Sequence, residues 1–186
     1  MTPLASGVTL TLTRTNQPFT KVTPGFGRRT SGTSWYPKKE ALDELLDIMA
    51  ASATGADPRR GGGSGVPRLR PKGRFAQLAV DLEPLVWHAH HMVHTTALAV
   101  VKELGRSLRG DFHEQCGGGG VLRLLVMRSA EKKLRPQIHD ILDALFASGA
   151  VHLGAVADTM LPNLLDLNDE ENRPLTRGVV WDWLLR

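Results

Sequence analysis

From His88 to His94 the chain carries four histidines in seven residues, in the run Trp87-His88-Ala89-His90-His91-Met92-Val93-His94. On a helix His90 and His94 are one turn apart, as are His88 and His91, and either pair could chelate zinc, nickel or copper. A catalytic metal would add a carboxylate and keep one position open, and Asp81 and Glu83 are the nearest carboxylates. No His-Glu-x-x-His pattern follows, and His113, His139 and His152 stand apart from one another. The cluster therefore reads as packing, phosphate-contacting or pH-sensitive surface at the start of a long helix. Gly117–Gly120 is not a phosphate loop, because no Gly-Lys-Ser/Thr follows it. No nucleophile elbow is present either. An enzyme has little support, and no cofactor is expected.

A second set of residues points to phosphate rather than to catalysis. Arg173 and Arg177 bracket a candidate loop, Arg173-Pro174-Leu175-Thr176-Arg177, and Arg123 and Arg128 bracket an earlier one. Arg70, Lys72 and Arg74 lie just before a helical segment, within reach of an adjacent groove or phosphate. Arginine forms charge-assisted, often bidentate, bonds with phosphate, and loop amides at helix starts add to them. The alternative is that these arginines are ordinary solvated surface.

These residues must be positioned by helices. In Pro136–Ala147 the residues Ile138, Ile141, Leu142, Leu145 and Phe146 recur at helical spacing, and Ser148-Gly149 supplies a stop. In Val151–Leu167 the stripe Leu153, Val156, Met160, Leu164, Leu167 lies on one helix face. A short apolar segment, Val179–Leu185, closes the chain. Trp181 and Trp183 within it point to opposite sides, one into the core and the other toward a partner. Upstream, Arg74-Phe75-Ala76-Gln77-Leu78 opens a short helix expected to end before Pro84. A long amphipathic segment, about Trp87 to Cys116, then carries Met92, Val93, Thr96, Val100, Leu104, Leu108 and Phe112 on one side. Gly117–Gly120 ends it, and Ser129 is a candidate N-cap for a third helix over Ser129–Arg135. Gly105 and Gly110 each cost that long helix about 1 kcal/mol against alanine.

This order resembles the histone fold, in which a long helix is flanked by two short ones. Gln137-Ile138-His139-Asp140-Ile141-Leu142 is similar to the first helix of histone two-A, and Gly149–Val156 to the opening of its central helix. Arg173-Pro174-Leu175-Thr176, with Val179, Val180 and Leu184, resembles the second loop and third helix of core histones. Asp158 and Asp166 fall where that histone carries its acidic patch. With Asp169, Glu170 and Glu171 they form a candidate docking site for a basic partner peptide. Pro162 departs from the family and implies a kinked or shortened central helix, at a cost of roughly 3 kcal/mol. Thr95-Thr96-Ala97-Leu98 and Arg123–Met127 look like the central helix and second loop of histone three or two-B.

The resemblance implies a fused histone doublet of the kind found in large DNA viruses: all-α, two tandem histone folds forming a pseudo-dimer, with a basic disordered N-terminal tail. The expected organisation is a flexible basic tail over 1–36, an amphipathic helix over 37–51 and a Gly/Pro/Arg linker over 52–73. The first fold would span 74–135 and the second 136–186. Its implied partners are double-stranded DNA and other histone or histone-doublet proteins. It implies a nuclear or chromosomal location, or a virion or viral factory if the source is viral.

Charge agrees with that reading. The 186 residues carry a net charge of +4, and it is uneven. Before Phe75 there are twelve Lys/Arg against five Asp/Glu, and from Phe75 onward eleven against fourteen. A basic front on a near-neutral helical body suits a DNA-condensing tail, since neutralising phosphate releases counterions. It equally suits a solvated tail that maintains solubility. Val8–Thr13 alternates like a strand, disordered alone or a pairing edge. No signal peptide is expected, and no run approaches the roughly 20 apolar residues of a membrane span, so neither a membrane nor a small-molecule substrate is an expected partner. The single cysteine, Cys116, excludes an internal disulfide and a cysteine-rich zinc site. The competing reading is a helical interaction, adaptor or virion structural protein that does not wrap DNA.

Overall fold

The computed structural model describes residues 8–12, 19–23, 26–54, 75–116, 119–152, 154–155 and 183. Its body is helical, as the sequence requires. α1 spans Phe26–Ser31, α2 Trp35–Thr54, α3 Phe75–Val86, α4 His91–Leu108, α5 Phe112–Gln115, α6 Gly119–Arg128 and α7 Arg135–Ala147. Before them β1 (Val8–Leu12) and β2 (Phe19–Thr23) pair antiparallel, Val8 opposite Thr23 and Leu12 opposite Phe19. The alternating segment is thus a pairing edge that found its partner within the chain.

α4 is the element on which the others pack: α2, α3 and α7 all lie against it. Its buried positions include Val93, Ala97, Leu98, Val100, Val101, Leu104 and Leu108, a stripe wide enough to face several neighbours at once. Met92 and Thr96, expected on the buried side, are not buried. α2 contributes Ala41, Leu42, Leu45, Ile48 and Met49, and α3 contributes Phe75, Leu78, Leu82, Leu85 and Val86. Together with α6 and α7 these form one apolar core. No described helix is long and apolar enough to cross a membrane.

α7 lies along α4 and is tied to it at three points. Gln137 Nε2 donates to the Thr95 carbonyl at 3.2 Å, and Lys102 pairs with Asp140 at 2.5 Å. At the third, Gly105 lets α4 approach until Leu145 occupies the space a side chain at 105 would need. The helix-propensity cost of Gly105 is therefore the condition for this close contact. α7 ends as its sequence indicates. Gly149 takes φ 72°, the Ala150 amide donates to the Leu145 carbonyl at 2.9 Å, and the Gly149 amide to that of Phe146 at 2.9 Å. This is the Schellman arrangement. Just beyond it His152 Nδ1 accepts the Ala155 amide at 3.1 Å, as an N-cap side chain does, and Gly154–Ala155 are helical.

Several expectations are corrected. α1 lies inside the stretch expected to be a flexible tail through residue 36. Phe26 and Thr30 are buried there, and Arg29 pairs with Glu44 at 2.6 Å and Glu40 at 3.3 Å on α2. α2 starts at Trp35 and runs to Thr54, with Pro37 in its first turn. α3 continues through Pro84 to Val86, because in the last turn the missing amide costs a single bond beside the exposed Val80. The expected continuous helix from Trp87 to Cys116 begins only at His91 and is interrupted by a 3₁₀ turn, Arg109–Asp111. Arg109 has φ 52°, the only positive value among described non-glycine residues, and Gly110 follows it.

The largest correction concerns α6. Arg123–Met127 was expected as a loop and Ser129–Arg135 as a helix. Instead α6 covers Gly119–Arg128, and residues 129–134 form the turn. Leu122, Leu124, Leu125 and Val126 are all buried, and their buried backbone amides need partners, which the helix supplies. Ser129 does not cap a following helix. Its hydroxyl donates back to the Val126 carbonyl at 2.5 Å, closing α6.

Candidate nucleic-acid interface

Two turns stand out, one rich in cations and one in histidines, and Arg128 at the end of α6 reaches from the first to the second. The first is the α6–α7 turn. Arg123 on α6 and Lys132 and Lys133 in the turn are exposed, and Arg135 at the start of α7 is half-buried. Arg135 Nε donates to the Ser129 carbonyl at 3.3 Å, which orients its side chain across the turn. None of Arg123, Lys132, Lys133 and Arg135 is ion-paired with a described residue. The N-cap of α7, Leu134, offers no side-chain bond to the first amides, so the positive end of that helix adds to the same field.

The second turn joins α3 to α4, Trp87–His90. Its backbone is held by local bonds: the Trp87 amide donates to the Glu83 carbonyl at 3.3 Å and the His90 amide to His88 Nδ1 at 3.0 Å. His94 Nδ1 reaches the His88 carbonyl at 3.0 Å. A carbonyl only accepts, so that nitrogen carries the proton, and Nε2 lies buried without a partner among the described residues. Burial above all, followed by the charges of Lys38, His90 and His94, lowers the pKa of His88 below its usual value. Among the described residues no group of three or more His, Cys, Asp or Glu is arranged to hold a metal ion. The four histidines have separate tasks. His90 stacks on Trp35 with ring centroids 4.1 Å apart and planes 6° apart, and His91 meets His94 edge-on at 5.5 Å.

Of the arginines read from the sequence, Arg123 is presented to solvent and Arg128 is not. Arg128 is 6% exposed at the end of α6, with its guanidinium 4.9 Å from the Trp87 ring centroid and paired with Glu131. It braces the second turn instead of facing a ligand. Arg70, Lys72, Arg74, Arg173, Thr176 and Arg177 lie outside the described residues, as do Asp158, Asp166, Asp169, Glu170 and Glu171. So do Pro162 and Trp181. Trp183 is the tryptophan that packs inward: it is buried, 5.2 Å from Phe146, and donates from Nε1 to Asp143 Oδ1 at 2.9 Å.

Lys132, Lys133 and Arg135 were missed as site residues because Ser129–Arg135 was read as a helix of its own. The signal was there in the run Lys132-Lys133-Leu134-Arg135 before Pro136, a helix-starting proline that marks what precedes it as a turn. Cys116 is buried in apolar surroundings that push its thiol up to about 12, which makes it inert packing. No family model, no curated protein and no solved structure matches this chain.

Proposed function

We propose that this chain binds double-stranded DNA without sequence preference, as a histone-like doublet whose two helical units pair within one polypeptide. One observation carries the reading. α3, the long α4–α5 segment and α6 follow one another as short, long and short helices, and α7 begins again directly afterwards while seated on α4. His152 capping the amide of Ala155 supports a new helix where the second unit requires its long one. Arg123, Lys132, Lys133 and Arg135, without an ion-pair partner among the described residues, support phosphate contact, with Arg70, Lys72, Arg74, Arg173, Thr176 and Arg177 as the further contacts the resemblance implies. The acidic residues from Asp158 to Glu171 would receive a basic peptide from a partner histone. No catalysis is part of this reading, and a nuclear, chromosomal or virion setting follows from it.

A protein that neutralises Z phosphates loses affinity with a slope of roughly 0.9Z in log–log salt titrations. Titration on random-sequence duplex DNA tests the proposal: a slope of about 4 or more supports it, and a flat response rejects it. A flat response would favour a helical adaptor. The burial of Arg128 and the internal pairing of Arg29, Lys39, Lys102 and Arg106 are the observations on that side.

A further inference from the structure

Three aromatic rings stand half out of the surface around the α3–α4 turn. Trp35 is 40% exposed, Tyr36 62% and Trp87 42%. Trp87 is the first residue of the turn, and Trp35 stacks on His90, its last. Tyr36 meets Trp35 edge-on at 5.8 Å. Each tryptophan is backed on one side by a nitrogen-rich group: His90 lies parallel to Trp35, and the Arg128 guanidinium lies over Trp87. A ring held by such a backing is fixed in orientation, and both tryptophans remain partly exposed.

Arg128 over Trp87 is paired with Glu131, which leaves Lys38 as the cation on this face. His88, His90 and His91 line the turn, Lys38 on α2 lies close enough to influence His88, and no carboxylate occurs from Trp87 to His94. Lys38 has no ion-pair partner among the described residues. Flat, partly exposed rings beside Lys38 and a histidine-rich turn suit a ligand that offers both planar π faces and negative charge. Nucleotides have both, whereas an acidic peptide supplies the charge without the faces. A duplex keeps its bases stacked on one another, so the faces must come from unpaired bases.

We propose that Trp35, Tyr36 and Trp87, with Lys38 and His91, form a stacking platform for single-stranded nucleic acid. The platform uses none of the α6–α7 cations and does not depend on the histone-like reading. Bases stack on the exposed parts of Trp35 and Trp87, and phosphates between them meet Lys38 and the histidines.

The test is fluorescence anisotropy with a labelled oligothymidylate of about 12 nucleotides, a length within the usual range of single-strand sites. A duplex of equal length and a polyglutamate competitor are measured alongside. Trp35→Ala and Trp87→Ala should each weaken oligothymidylate binding by roughly tenfold while leaving duplex affinity within about twofold. Trp35→Leu keeps apolar bulk against His90 and secures the fold, yet should bind as poorly as Trp35→Ala. Trp35→Phe should restore most of the affinity. Oligothymidylate binding unchanged in Trp35→Leu, or equal displacement of oligothymidylate by polyglutamate, overturns the proposal. Loss of duplex binding alone would count against the packaging function and leave the platform standing.

Discussion

Leu145 of α7 occupies the space into which a side chain at Gly105 of α4 would project, and Ala150 lies just beyond, 3.6 Å from that position. Both Gly105 and Leu145 are buried. The contact fixes how closely α4 and α7 can approach. In the doublet reading it is a seam between the two units.

Alanine at 105 should therefore destabilise, although the same change favours an isolated helix by about 1 kcal/mol. Overpacking against the buried Leu145 should cost more than that, for a net loss of about 1–2 kcal/mol in chemical denaturation. Gly120 on α6 is the control, since nothing lies within 4 Å of the position its Cβ would take. Gly120→Ala should be neutral or stabilising by up to about 1 kcal/mol.

The left-handed Gly149 gives a second prediction. With φ at 72° it closes α7, and any side chain there strains the Schellman turn. Gly149→Ala should lower stability by about 1–2 kcal/mol, read as a shift in denaturant midpoint with an unchanged slope.

Arg123 and Arg128, though read alike from the sequence, should separate in opposite directions. Arg123→Ala should reduce duplex affinity and the salt slope by about one while leaving stability within about 0.5 kcal/mol. Arg128→Ala should cost stability, about 1–3 kcal/mol, because the side chain packs against Trp87 and pairs with Glu131. Parallel thermal melts and binding curves on both variants distinguish the roles.

His88 sets a pH dependence. Its pKa is lowered in the folded state, so between that value and the unfolded value near 6.5 the unfolded chain binds more protons. Stability should be fully present above 6.5 and decline as pH falls below it, levelling once the folded pKa is passed. Thermal melts from pH 7.5 downward check this. His88→Gln should flatten that part of the curve, and Lys38→Gln should narrow it by raising its lower limit, so that less stability is lost.

What could be read in advance depended on how far each signal was local. α7 was legible to within one residue because Pro136, its apolar spacing and Ser148-Gly149 each specify the helix or its ends without reference to the rest of the chain. α6 was not, since Leu122–Val126 has no clear period and the glycines before it read as a terminator. Only the core, which buries four of those residues, decides that the segment is helical. α1 was hidden because its stability is tertiary: six residues are held by Phe26 and by Arg29 reaching α2. The same cause separates Arg123 from Arg128. Both follow apolar residues on one helix, and the difference is Trp87, forty-one positions upstream of Arg128, which draws Arg128 into the interior.

The most direct test of the packaging account is micrococcal nuclease digestion of plasmid DNA bound by the full chain, alone and with histone partners. The account predicts discrete protected fragments whose length reports how many paired units assemble on the DNA. Uniform digestion in low salt, with circular dichroism showing the protein folded and helical, would contradict it.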